Sequence, residues 1–285
     1  MNDLETARKR WLAERPAYES FGREVSSRIR AAVQAQGIWC ETSARAKETH
    51  SLVKKLLKGK HNYETLPDKV GARCVVRYVD ELERVVELAQ GLFECREVDR
   101  KLEQLGTERV GYAGIHVEVL LRPDDPVVVD YAGFRAELQI KTLGQNLWSE
   151  MSHDSVYKND EMLATLPLGF RRRVNLMAGL IEVADQEFNR LNNELPTTDV
   201  SRLYKAMERH YFKLTTKRPD PELSFQVIDL LLPLYGADVL QITELLDAFF
   251  ASHGETLHAV YEQSEDWKAS ALLYQPEVLM IYERL

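Results

Sequence analysis

The residues best equipped for chemistry begin with a cationic run. Arg45, Lys47, Lys54, Lys55, Lys58 and Lys60 face only Glu41 and Glu48, so residues 41–60 carry a net charge of +4, the most basic stretch of the chain. Lys47, Ser51 and Lys54/Lys55 recur at helical spacing and so share one face of a helix. Such a face is a solvated charged surface, a nucleic-acid patch or a phosphate clamp. Ser51 tilts the choice toward phosphate, because its hydroxyl and the ammonium groups all donate to phosphate oxygens. No G-x-x-x-x-G-K-[ST] occurs in the sequence, so a nucleotide would be held without a Walker loop. Asp68 in D-K-V-G-A-R and Glu137 in E-L-Q-I-K-T place two carboxylates at two β-like segments. A Mg²⁺ ion serving phosphoryl or pyrophosphoryl transfer takes one or two such groups, because it keeps several of its waters. Taken singly, each acid also reads as a surface or capping residue.

Two further motifs follow. In G-Y-A-G-I-H, residues 111–116, the glycines permit a close turn on which Tyr112 would present its ring to a base. The plainer reading is a loop tyrosine packed on the core, with His116 a structural histidine. W-S-E-M-S-H-D-S-V-Y-K, residues 148–158, sets Trp148, Met151 and Ser155 on one helical stripe and His153 with Tyr157 on another, and Trp148 reads as core.

These residues need elements to hold them. Leu4, Ala7, Trp11, Phe21, Val25, Ile29 and Val33 recur at three- and four-residue intervals, and Arg15-Pro16 predicts a break between two helices. A third helix is predicted from about Ser43 to Leu57, ending at Gly59, and residues 70–79 read as a strand. Asp80 with Glu83 three residues on reads as a capping box opening a helix to about Phe93. Ile115, Val117, Val119 and Leu121 alternate on one strand face, and Val127–Val129 leads through Tyr131-Ala132-Gly133 into Phe134–Lys141 as a predicted hairpin. In that last strand Phe134, Ala136, Leu138 and Ile140 share one face, and Arg135, Glu137, Gln139 and Lys141 the other. The polar row is either the solvated side of a half-covered sheet or the lining of a polar site. Beyond Thr142 the pattern is helical, over about 142–158 and 167–195. A further set follows Pro196, with breaks expected at Lys217-Arg218-Pro219, Pro233, Gly236, Gly254 and Pro276. The expectation is an α+β core over residues 1–195 and an acidic helical region over 196–285.

Composition excludes a disordered tail, a collagen-like repeat and a disulfide miniprotein: 285 residues, 45% hydrophobic and 29% charged. The net charge of −8 is uneven, since Pro221–Leu285 holds eleven acidic residues against Lys268 and Arg284, leaving residues 1–220 near neutral at +1. Cys40, Cys74 and Cys95 show neither a C-x-x-C pair nor zinc spacing, which argues against a disulfide framework or structural metal. The first 30 residues carry charges throughout and no apolar signal core, and the longest apolar stretch, Val227–Tyr235, contains Asp229 and Pro233. A soluble cytoplasmic protein without membrane association is expected.

The order of the motifs says more than any one of them. R-x-K-x-x-x-S-x-x-x-K at 45–55, D-x-x-G-x-R at 68–73, G-Y-x-x-x-H at 111–116, E-x-Q-I-K-T at 137–142 and W-x-E-x-x-H-x-x-x-Y-K at 148–158 together resemble the RelA/SpoT synthetase domain, the alarmone synthetase family. The resemblance covers roughly residues 15–190. It implies a nucleotidyltransferase-like mixed β-sheet flanked by helices and a (p)ppGpp synthetase, a GTP pyrophosphokinase of the stringent response. Such an enzyme moves the β,γ-pyrophosphate of ATP to the 3′-hydroxyl of GDP or GTP with Mg²⁺. It further implies that Arg45 and Arg73 sandwich the adenine, that Lys47, Ser51 and Lys55 hold the ATP phosphates, and that Asp68 and Glu137 bind Mg²⁺. Glu137 would also take the proton of the attacking hydroxyl, Tyr112 would stack on the acceptor base, and His116 and Gln139 would order the acceptor and the metal shell. Asp68 and Arg73 have opposite parity in a regular strand, so Asp68 is expected to precede the strand.

Departures from the family pattern fall on the acceptor side: Glu108, Val110, Gly114 and Lys141 stand where Lys, Asn or Ser, Ser and Arg are common, with Arg109 a candidate replacement cation. Hydrolysis is not expected, because the only His-Asp pair, His153-Asp154, lies inside the synthetase motif. The alternatives are a toxic relative that pyrophosphorylates the tRNA 3′ end or an adenine nucleotide from the same donor site, and a catalytically silent binding module. For the toxic relative, Lys54, Lys58, Lys60 and Arg171–Arg173 would supply a basic rim. Partners are thus an ATP donor, a GDP or GTP acceptor or tRNA, and, as an option, a second copy of the chain.

Overall fold

The computed structural model describes residues 2–59, 61–66, 68–101, 103, 114–155, 167–194, 198–236, 238–263 and 275–285. Its centre is a five-stranded sheet of β1 (Glu41–Ala46), β2 (Val70–Val76), β3 (Glu94–Arg100), β4 (Ile115–Leu120) and β5 (Ala136–Thr142), in the order β1-β2-β5-β4-β3. β2 and β5 run parallel and the other neighbours antiparallel, so the sheet is mixed.

Register gives the sheet one apolar and one polar face. Val70, Ala136 and Val119 lie opposite one another across β2, β5 and β4, as do Ala72, Leu138 and Val117, then Cys74, Ile140 and Ile115. All are buried. A slip of one residue would turn this whole set to the other face, which is why the register is firmly specified. Onto the apolar side pack α1 (Asn2–Ala35) and α3 (Asp80–Leu92), the latter through Leu82, Val85, Val86 and Ala89. Gly22 brings α1 against the sheet, since a Cβ there would lie 2.6 Å from Val70 Cγ2 and 3.2 Å from Ala44 Cβ.

Several expectations are corrected. α1 is continuous through Pro16. Trp11 and Tyr18 are buried on either side of it, and that shared packing outweighs the roughly 3 kcal/mol a helix-interior proline costs. Residues 41–46 form a strand paired with β2 rather than the opening of a helix, and α2 spans only Thr49–Leu57. The expected hairpin strand at 127–129 is a run of turns, tied by Val127 N–H to Asp125 Oδ1 (3.1 Å) and Phe134 N–H to Tyr131 O (2.9 Å). β5 instead pairs with β4 and β2. Asp80 is the first helical residue of α3 rather than its cap, and Glu81 Oε2 accepts the N–H groups of Arg77 and Tyr78, each at 3.0 Å.

After β5 come α4 (Leu143–Ser155), α5 (Leu168–Glu194), α6 (Asp199–Thr215), α7 (Pro221–Tyr235), α8 (Val239–Gln263) and α9 (Val278–Arg284). α7 runs through Pro233 and α8 through Gly254, against the predicted breaks. The chain forms two compact units, Met1–Val33 with Cys40–Asn189, and Gln34–Trp39 with Arg190–Leu285. The second has its own core of Leu203, Met207, Tyr211, Ile228, Ile242 and Met280. Among the described residues no single helix is long and apolar enough to cross a membrane.

Candidate active site

The polar face of the sheet is assembled by the same register. Arg45 on β1 lies opposite Gly71 on β2, then Glu137 on β5 and Glu118 on β4. The next row is Ser43, Arg73, Gln139, His116 and Asp99. Residues directly opposite share a face, so these side chains converge from five strands. Gly71 leaves the position between Arg45 and Glu137 without a side chain, and a Cβ there would meet nothing closer than Glu137 O at 3.8 Å.

Asp68 precedes β2 by two residues, so strand alternation does not turn it away from Arg73. Its Oδ2 accepts the ammonium groups of Lys47 and Lys55, the latter at 2.7 Å. Burial works to raise the carboxyl's pKa, but the two lysines outweigh it and hold Asp68 below the usual range. Oδ1 is buried and accepts no hydrogen bond. Lys47 is itself fixed through its backbone, donating its N–H to Lys69 O (2.8 Å) and accepting Trp11 Nε1–H at its carbonyl (3.2 Å). Lys47, Ser51, Lys54, Lys55 and Lys58, with His61, line a hollow of about 390 Å³. The cationic run is therefore a concave surface made by the end of β1 and by α2, whose inner side is anchored by buried Leu52.

Glu137 is half-buried and doubly held: Gln139 Nε2 donates to Oε2 at 2.7 Å and His116 Nδ1 to Oε1 at 3.2 Å. Burial opposes ionisation, yet the His116 hydrogen bond and charge, with help from Gln139 and Lys55, bring Glu137 down to about 2. An ionised carboxylate only accepts, so His116 carries its proton on Nδ1. Lys55 bonds to Asp68 and its charge also acts on Glu137, which links the two acids.

α4 closes the other end. Arg73 Nη1 donates to Asn146 Oδ1 (3.0 Å) and pairs with Glu150 Oε1 (2.7 Å), while the buried Lys141 donates to Ser149 Oγ (2.9 Å). Burial, then repulsion from Arg73, pushes Lys141 down to about 8. Asn146, Ser149 and Glu150 are additions to the expected site. Their three- and four-residue spacing directly after E-L-Q-I-K-T was the signal that they share a helix face. Trp148 is buried, as a core residue, while Met151 on its stripe is exposed. Tyr112, with Glu108–Val110, Tyr157 and Lys158, lies outside the described residues.

Among the described residues no group of three or more His, Cys, Asp and Glu side chains could hold a metal. A Mg²⁺ ion needs fewer, and a buried Asp68 Oδ1 without a hydrogen bond and an ionised Glu137, both under the charge of Lys55, match its demand for one or two carboxylates.

Residues 44–162 match the family model described as a region found in RelA / SpoT proteins. GTP pyrophosphokinase YjbM of Bacillus subtilis (strain 168) is 25% identical over 135 residues, 47% of this chain and 62% of that protein, so the match spans less than two thirds of the relative's length. GTP pyrophosphokinase YwaC of the same organism is 24% identical over 170 residues, covering 55% of this chain and 80% of that protein. The crystal structure of small alarmone synthetase 1 from Bacillus subtilis bound to its product pppGpp superimposes with a TM-score of 0.53 at 22% identity, covering 66% of this chain and 99% of that one. Sheet and flanking helices thus agree with that fold, and residues 44–162 of this chain are similar to the region found in RelA / SpoT proteins.

Proposed function

We propose that this protein is a (p)ppGpp synthetase, transferring the β,γ-pyrophosphate of ATP to the 3′-hydroxyl of GDP or GTP. The observation that carries the reading is an ionised, doubly oriented Glu137 and an Asp68 whose second oxygen is unpartnered, linked through Lys55, which bonds to Asp68, acts by its charge on Glu137 and lines the lysine hollow. The names of YjbM and YwaC and the pppGpp held by a structural relative support the acceptor.

The division of labour follows from charge. Lys47 and Lys55 hold Asp68 in the absence of an anion, and the ATP phosphates, carrying more negative charge, would draw these ammonium groups to themselves. That exchange frees Asp68 oxygens. Mg²⁺ held there by Asp68 and Glu137 would neutralise charge developing on the transferred pyrophosphate. Arg45 and Arg73 reach the polar face from adjacent strands, as a clamp on the adenine requires. A carboxylate held near 2 is a weak base for a free hydroxyl. The role of Glu137 is therefore to align the acceptor hydroxyl and accept its proton late, which suits a transfer that depends more on positioning than on basicity.

The test is transfer from γ-³²P-labelled ATP with Mg²⁺ and GDP, GTP or total tRNA as acceptor. Label on GDP or GTP is expected. Label on tRNA would replace the acceptor, and no transfer to any of the three would remove the enzyme reading.

A further inference from the structure

Outside the polar face, Lys69 is buried in a column of rings and cations. The Arg10 guanidinium lies 4.5 Å from the Tyr63 ring centroid, and Lys69 Nζ lies 3.9 Å from that centroid. Lys69 Nζ is also 5.2 Å from the Tyr18 centroid and donates to Tyr18 Oη at 3.3 Å. Tyr18 in turn stacks on Phe134 at 4.1 Å with an interplanar angle of 8°. The sequence Arg10, Tyr63, Lys69, Tyr18, Phe134 therefore joins α1, the segment before Asp68 and the segment entering β5. Two more bonds tie the same parts, Tyr63 Oη to Glu14 Oε2 (2.8 Å) and Arg135 Nη2 to Glu64 O (3.0 Å).

We propose that Lys69 is a positioning residue, and that this column sets the separation of Asp68 and Glu137. Lys69 follows Asp68 directly, and its carbonyl accepts the Lys47 N–H, so the residue that fixes the turn also fixes one of the lysines on Asp68. Phe134 lies three residues before Glu137 and one before Arg135, so the other end of the column holds the entry to β5. An apolar side chain would fill this slot without the cost of burying an ammonium group. What the ammonium adds is attraction to the Tyr63 ring face together with a hydrogen bond to Tyr18 Oη, which fixes distance and direction where aliphatic packing would slide. The inference rests on the reading of Asp68 and Glu137 as metal ligands.

The experiment uses the full-length protein with a non-hydrolysable ATP analogue and Mn²⁺, free Mn²⁺ being counted by electron paramagnetic resonance below the melting temperature of each variant. Lys69→Met is expected to weaken Mn²⁺ binding about tenfold, and Lys69→Arg, which keeps a cation between the rings, to restore most of it. Tyr63→Leu should reproduce the loss with Lys69 in place, and the double variant should bind no more weakly than Lys69→Met alone, because both act through one contact. A folded Lys69→Met with wild-type Mn²⁺ affinity would overturn the proposal and leave the column a purely structural feature. If Lys69→Met does not fold, wild-type affinity in Tyr63→Leu overturns it equally. Failure of the wild type itself to take up Mn²⁺ would remove the metal reading of the site, and this inference with it.

Discussion

Glu137 and Lys141 lie four residues apart on the same face of β5, and their surroundings treat their charges in opposite ways. Two donors keep Glu137 ionised, whereas burial beside Arg73 works against the charge of Lys141. The folded-state pKa of Lys141, about 8, lies below its ordinary 10.5, so between those values the unfolded chain binds the extra proton and stability rises with pH. The burial cost is fully felt below about pH 8 and disappears above the unfolded value. Lys141→Met should therefore raise the melting temperature at pH 7, with a gain about 2 kcal/mol larger there than at pH 10. Equal gains at both pH values in thermal melts would show that the lysine is not strained by its charge. At this scale the sequence was informative about residue type and order, since Arg45, Lys47, Lys55, Asp68, Arg73, Glu137 and Gln139 all fall around one sheet face. It could not show that Lys47 and Lys55 rest on Asp68, because the choice between phosphate, solvent and carboxylate is made by three-dimensional proximity.

The two strands that sequence patterning missed, β1 and β3, are the two edges of the sheet. Edge strands bury little, so E-T-S-A-R-A and E-C-R-E-V-D-R show charge where central strands show apolar alternation. β4 and β5, which carry the core, were legible for the converse reason, as was the helical character of α1 apart from the break expected at Pro16. α4 depends on a contact no periodicity records. Asp185 on α5 accepts the hydroxyl of Thr142, whose Oγ1 in turn accepts the Gln145 N–H (3.0 Å), and so ties down the first turn of the helix that holds Arg73 and Lys141. A Cβ on residue 144 would lie 2.4 Å from Asp185 Oδ1. Gly144→Ala is expected to destabilise the protein by about 1–3 kcal/mol in urea unfolding, a midpoint shift that a glycine merely tolerated in a first turn would not produce.

Charge divides the whole molecule: the cationic hollow belongs to the first unit, and most of the excess acid to the helices of the second. The helical character of that second unit was legible in its amphipathic spacing. Its segmentation was legible in part: the breaks at Lys217-Arg218-Pro219 and Gly236 fall between helices, whereas Pro233 and Gly254 are carried inside helices whose buried faces include Ile228, Tyr235, Ile242 and Leu257. There Ser224 Oγ donates to fully buried Glu277 at 2.8 Å, and burial raises the Glu277 carboxyl. A raised carboxyl stabilises below its unfolded pKa, and the benefit is lost as pH climbs through the folded value. Glu277→Gln should thus raise the melting temperature at pH 8 and give no gain at pH 4. The central claim concerns the first unit, that Asp68 and Glu137 form the centre of a pyrophosphate-transfer site. Its most direct test is the rate of label transfer from γ-³²P-ATP to GDP by Glu137→Gln, with analogue binding measured on the same sample. The account predicts a loss of at least about 100-fold with the ATP analogue still bound, and a wild-type transfer rate in that variant would contradict it.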